Sequence, residues 1–225
     1  MIPVRVEMLY HTAPVIGPRQ QPARSWRVRP RRDNVPAMDT AARDTTFLDA
    51  EAFLRTDQRE FGNAWRYELV RGRIVAHAAP SPEHAVILGN LGGELYNRLR
   101  GHATCRSEIG SGAAPQYEQR DTARIPDATI RCGKLPRVLF EVISPSELRH
   151  KRDWDQKRSD LQAVEGVQEI IEIFQDEMLV HAYRRQGAVW TFESIAGMEA
   201  TVSLPSVGIA IPLAALYERV VPEEA

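Results

Sequence analysis

After about residue 45 the apolar and polar positions fall into short blocks whose period changes several times. TFLDAEAFLRTD, 46–57, spaces its apolar residues as a short amphipathic helix does. YELVRGRIVAHA, 67–78, reads as two short strands joined at Arg71-Gly72, a hairpin signal. SPEHAVILGNLGGELYNRLR, 81–100, is the clearest helix. Ser81 caps it, Pro82 suits its first turn, and Val86, Ile87, Leu91, Leu95 and Leu99 form an apolar stripe. Gly89, Gly92 and Gly93 weaken helix propensity, which predicts close packing against a neighbouring backbone.

A Gly-rich loop follows at 110–115, then a short strand around 127–131 and an apolar strand at 138–143 within VLFEVISPS. Residues 153–165 read as a second long helix ended by Gly166. QEIIEIF, EMLVHAYR and AVWTFES are three further strands, linked by turns at 175–177 and 185–187. No internal repeat is visible. Helices interspersed among sheet segments predict an α/β or α+β chain with one central sheet.

The N-terminal part has no such pattern. GPRQQPARSWRVRPRRDNVPAMD, 17–39, is rich in Arg, Pro and Gln, and residues 1–44 read as a disordered extension ahead of a globular domain at 45–225. Six arginines lie between 18 and 32 without an acid; a solvated run is the plainer reading, phosphate contact the sharper one. Met38 offers an alternative start of the chain, because the globular pattern begins just after it.

Composition narrows the class. With 225 residues, 43% hydrophobic content and no apolar run near the roughly 20 residues of a membrane span, the expectation is a cytoplasmic globular protein. Nor does the N-terminus carry the apolar core of a signal peptide. Cys105 and Cys132 show no CxxC or Cys/His spacing, so they are expected to be separate thiols, with neither a zinc site nor a disulfide framework. The net charge of −1 divides unevenly: residues 1–44 carry 8 Arg against 4 acids, the remainder 21 Lys and Arg against 26 acids. A mildly acidic body carries no global nucleic-acid signature, so such a partner would need a local basic patch.

The chemistry centres on two carboxylates. Glu141 sits inside an apolar strand, where a lone carboxylate is costly unless paired. Asp127 follows Pro126 at the start of the preceding strand, a position typical of a sheet end. Two neighbouring strands presenting one carboxylate each can converge on a point, and oxygen ligation by one or two carboxylates plus waters suits Mg²⁺. An ion pair between Glu141 and a buried arginine is the plainer reading of these two residues alone. SPSELRHKRDWDQKRSDLQ, 144–162, then adds Asp153 and Lys157 four residues apart on one helix face, with Arg149, Lys151, Arg152 and Arg158 as the local basic patch. Together these fit metal-assisted phosphodiester cleavage.

PD at 126–127, followed by Glu141 in a strand, resembles the PD-(D/E)XK nuclease superfamily. YELVRGRIVAHAAPSPEHAVILGNL, PDATI, FEVISPS and the Asp153/Lys157 pair resemble, more narrowly, the Uma-type family of restriction endonuclease-like proteins, over about residues 46–220. The resemblance implies a restriction-endonuclease-like fold and a Mg²⁺- or Mn²⁺-dependent endodeoxyribonuclease, working on DNA and often as a homodimer. It implies that Asp127 and Glu141 ligate the metal, that Lys157 orients the attacking water, and that Glu68 adds a ligand or positions Lys157. His84, of SPEH, would assist the site or pack at the helix end, and Asp153 would orient Lys157 or cap the helix. The superfamily lysine position is Ile143, which is expected to pack on the other face of its strand, the lysine having moved to the following helix as Lys157. Leu161 and Ile170-Ile171 stand where the family usually has aromatics.

Three other classes compete with the nuclease reading. A module that keeps the fold and binds nucleic acid or protein without cutting would suit the acidic body. A structural oligomer would use the same polar cluster as an ion-pair network. A serine hydrolase through Ser144 and His150 lacks the G-x-S-x-G elbow.

Overall fold

The computed structural model describes residues 7–8, 49–145, 147 and 151–220. Apart from Glu7–Met8, the N-terminal extension at 1–44 lies outside the described residues, as do Arg149, His150 and the side chain of Lys151. Helix α1 (Ala50–Arg55) is capped by Asp49, whose carboxylate accepts from the Ala52 N–H at 2.7 Å. Strands β2 (Arg66–Val70) and β3 (Arg73–His77) form the expected hairpin, with β1 (Glu7–Met8) parallel to β3. Arg71 (φ 50) and Gly72 (φ 73) both take left-handed backbone, as a tight two-residue hairpin turn requires. Arg71 tolerates this with its guanidinium 4.9 Å from the Tyr117 ring centre and 3.3 Å from Asp160.

Helix α2 (Pro82–Leu99) starts where the sequence predicts, Ser81 Oγ accepting from the His84 N–H. Ile87, Leu91, Leu95 and Leu99 are buried, but Val86 is exposed, so the stripe is narrower than expected. The glycines do not serve close packing: a Cβ at Gly89 or Gly93 would meet nothing within 4 Å, and one at Gly92 only Ile109 at 3.8 Å. They lie off the buried stripe.

The central sheet has six strands in the order β4-β5-β6-β7-β8-β9. These are β4 (Cys105–Ile109), β5 (Ala128–Cys132), β6 (Leu135–Ile143), β7 (Glu169–Phe174), β8 (Leu179–Gln186) and β9 (Val189–Ala196). Among the described residues, only β6 and β7 run parallel in this sheet, joined by the crossover helix α3 (Lys151–Gln162). β10 (Thr201–Leu204) and β11 (Ile209–Pro212) form a separate hairpin leading to the short α4 (Leu213–Leu216).

Strand periodicity assigns the two faces. Phe140, Val142, Ile171 and Ile173 pack with α2, α4 and the β10–β11 hairpin in the main core. Leu139, Ile143, Ile170 and Phe174 face α3, against Leu161 and Trp154. Each such buried side chain contributes roughly 1.5–3 kcal/mol. A third cluster, Phe53, Tyr67, Leu69, Ile74, Ala123 and Ile125, ties α1 and the β2–β3 hairpin to the loop before β5.

Two expectations need correction here. Cys105 and Cys132 are not separate thiols; they lie opposite each other in the β4–β5 register and form a disulfide. Ile143 does not face away from Glu141, because residues two apart in a strand share a face; it packs on Trp154 and Phe174 beneath α3.

Candidate active site

Four elements meet above the α3 face of the sheet. In β2 the two-residue period turns Tyr67 and Leu69 into the hairpin core and leaves Arg66 and Glu68 on the opposite face. A pair of bonds between Leu69 and Ala123 (3.0 and 2.8 Å) clamps the loop before β5 onto this strand. The clamp places Ile125, whose N–H donates to Glu68 Oε1 at 3.0 Å, and Arg124, whose guanidinium donates to Glu68 Oε2 at 2.9 Å. Asp127 stands at the entry to β5, and its Oδ2 accepts from the Val142 N–H of β6 at 2.8 Å. Glu141 comes from β6 and Lys157 from α3, with Lys157 Nζ 2.8 Å from Glu141 Oε1 and 3.4 Å from Glu68 Oε1. Arg66 donates to Asp127 Oδ1 at 2.7 Å, His84 Nε2 lies 3.5 Å from Asp127 Oδ2, and His77 Nε2 lies 3.3 Å from Glu68.

Glu68, Asp127, Glu141 and Lys157 are all buried. Burial pushes Glu141 up to about 8; the charges of Asp127 and Glu68 add to this, against the pull of Lys157 and Arg66. Burial would raise Asp127 too, but the His84 hydrogen bond and the charges of Arg66 and Lys157 hold it well below the usual carboxylate range. Glu68 is likewise lowered, burial being outweighed by Lys157, His77 and Arg124. Lys157 is raised despite burial, because Glu141 and Glu68 face it.

These carboxylates can serve a divalent cation. Glu141 Oε1 is buried and accepts no well-directed hydrogen bond, although Lys157 stands beside it. A hard cation takes such an oxygen, and Mg²⁺ is content with one or two carboxylates plus waters or phosphate oxygens. Among the described residues, no three His, Cys, Asp or Glu side chains are grouped to hold an ion, so a full protein cage is not built.

The seat of Lys157 is fixed by two anchors on α3. Asp160, one turn further on, accepts from Tyr117 Oη (2.7 Å), Arg124 (2.9 and 2.7 Å) and Gln156 (2.9 Å). Arg124 thereby bridges Asp160 to Glu68. On the other flank Glu172, next to Glu141 in the β6–β7 register, accepts from Trp154 Nε1 and Arg158, both at 3.0 Å. Burial raises Glu172 to about 7.

Of the residues singled out from sequence, Asp127, Glu141, Lys157, Glu68 and His84 come together. Asp153 does not join them: it is exposed, and Lys157 is oriented by Glu141 of β6 and Glu68 of β2. Arg158 is no open phosphate contact either, since it is spent on Glu172, Asp155 and Tyr183. Arg152 is exposed at the start of α3. Sequence reasoning missed Arg66, His77, Arg124 and Asp160. The strand period marks Arg66 beside Glu68, and the helix period puts Asp160 beside Lys157; Arg124 and His77 carry no comparable signal.

Comparison with known proteins gives a family and a fold. The Uma2 family model, described as "Putative restriction endonuclease", matches residues 50–214. A crystal structure described as "a putative nuclease belonging to DUF820" from Anabaena variabilis ATCC 29413 superposes with a TM-score of 0.59 at 18% identity, covering 77% of this chain and 99% of that one. No curated protein matches. No described helix is long and apolar enough to cross a membrane.

Proposed function

The chain belongs to the Uma2 family, and on that footing we propose that it is a metal-dependent endonuclease hydrolysing phosphodiester bonds, with DNA as the substrate. The observation that carries the reading is the meeting of Asp127, Glu141 and Lys157 in one buried spot, with Glu141 Oε1 short of a well-directed donor. Asp127 and Glu141 are the residues to hold Mg²⁺ or Mn²⁺, which when bound supplies Lewis-acid stabilisation of phosphate charge and a more acidic water. Lys157 stays charged between Glu141 and Glu68, where it orients the attacking water and offsets charge building on the phosphate. Glu68, gripped by Arg124 and the Ile125 N–H, keeps the lysine aimed. Arg152, with Arg149 and Lys151 beside it in sequence, would meet the approaching backbone.

The test is Mn²⁺ and Mg²⁺ titration by calorimetry on wild type, Asp127→Ala, Glu141→Ala and Lys157→Ala, followed by plasmid and oligonucleotide digestion. Metal binding lost in the two carboxylate variants, with cleavage lost in all three, supports the proposal; a wild type that binds no metal overturns it. One feature favours a second reading, a nucleic-acid-binding module that no longer cuts: the carboxylates are sealed and already faced by cations. That module would shift oligonucleotides in chelator, with an affinity that falls as salt rises.

A further inference from the structure

Arg66 occupies a position that the proposed reaction does not yet use. It shares the site-facing side of β2 with Glu68, and its Nη1 holds Asp127 Oδ1 at 2.7 Å. The other oxygen, Asp127 Oδ2, is committed to the Val142 N–H at 2.8 Å, with His84 at 3.5 Å. Asp127 Oδ1 is held by a side chain that can swing away, whereas Oδ2 is tied to the backbone, so Oδ1 is the oxygen a further ligand takes more readily. The Arg66 side chain is 19% exposed against 3% for Asp127 and 7% for Lys157, so among these groups it is the one nearest solvent. Its Nε is buried and donates to nothing. A guanidinium with one donor on a carboxylate and another unspent is half engaged, although its fork can grip two oxygens of one anion.

We infer that Arg66 is a dual-purpose residue of the proposed nuclease site: it neutralises Asp127 when no divalent cation is bound, and with a cation held at Asp127 it would be free to grip a non-bridging oxygen of the substrate phosphate. The inference rests on the metal-dependent reading above and adds a substrate contact to it. Arginine serves both states because it stays charged at any working pH and presents several donors. Here its charge is further secured, burial being outweighed by the charges of Asp127, Glu141 and Glu68. Lysine would supply the charge without the fork.

Arg66→Gln and Arg66→Lys separate the two roles. Calorimetry with Mn²⁺ in the absence of nucleic acid should show Arg66→Gln binding about tenfold more tightly than wild type, because a charge-assisted competitor for Asp127 is gone. Oligonucleotide cleavage at saturating Mn²⁺ should fall by about a hundredfold in the same variant. Arg66→Lys should keep near wild-type metal affinity and thermal stability and still cleave poorly. Tighter metal binding in Arg66→Gln with neither protein cutting DNA overturns the phosphate contact together with the nuclease reading and leaves Arg66 only as the counter-ion of Asp127. Unchanged or weaker metal binding in Arg66→Gln overturns the inference. If Arg66→Gln does not fold, full cleavage by Arg66→Lys overturns it equally.

Discussion

Replacing Glu141 by glutamine isolates the cost of burying its charge. The carboxyl titrates at about 8 in the folded chain against 4.5 for the free side chain. A folded value above the unfolded one means that the folded state holds the extra proton across that interval. Stability is therefore full below pH 4.5 and is lost as pH rises through about 8. At about 1.4 kcal/mol per unit, the interval bounds the loss at about 5 kcal/mol. Glutamine has the same shape and no proton to lose. Wild type and Glu141→Gln should thus be of similar stability near pH 5, and the variant more stable near pH 8.5 by up to that bound. Lys157 takes part of the gain back, because it keeps only Glu68 as partner. Urea unfolding at steps between these pH values, in chelator, measures the difference, and each kcal/mol should move the melting temperature by about 2–4 °C. A wild type more stable than the variant near pH 8.5 would refute the reasoning. Glu141 would then be ionised and net stabilising through Lys157.

Other perturbations probe the frame around the site. Asp160→Asn should cost about 3–5 kcal/mol in urea unfolding, because it leaves the buried Arg124 guanidinium half paired; a cost under 1 kcal/mol would remove Asp160 as the anchor of α3. Reducing the Cys105–Cys132 bridge, which spans 27 residues, should cost about 3.5 kcal/mol by releasing the unfolded chain, and Cys105→Ala with Cys132→Ala should reproduce that loss and become insensitive to reductant. Gly166→Ala should destabilise by more than about 1 kcal/mol: φ is +84, and a Cβ would sit 2.7 Å from Leu135 Cβ and 2.9 Å from the Pro136 carbonyl oxygen. Unchanged melting of that variant would show that the loop relaxes.

Much of the scaffold was legible because its elements bury one face with a regular period. α2 shows in its helical stripe, β3 and β8 in alternation, and β6 and β7 as apolar runs. β4 did not, since CRSEI offers one apolar residue at each end and takes its strand form from pairing with β5. That omission hid the disulfide, whose partners become neighbours only in the β4–β5 register. The hairpin of β10 and β11 escaped for a related reason, being short strands whose buried residues pack on a distant face. In the site, Glu141 announced itself as a charge in an apolar run, and Asp127 by its proline. Lys157 stood out by its helix spacing from Asp153, although its partners are Glu141 and Glu68, and Glu68 needed the family resemblance. Arg66, Arg124 and Asp160 look like solvated charges along the chain; only the clamp between Leu69 and Ala123 and the docking of α3 turn them inward.

The position of α3 between the two parallel strands also bears on how the protein is made. Glu68 is synthesised roughly ninety residues before Lys157, and at about 5–20 residues per second that is several seconds of translation. During this time the nascent chain carries Glu68, Asp127 and then Glu141 without the lysine that faces two of them in the finished protein. The crossover closes only when β7 pairs with β6, after residue 169 has emerged. The cluster is therefore the last part of this layer to assemble, waiting on the β6–β7 pairing that brings Lys157 onto the carboxylates.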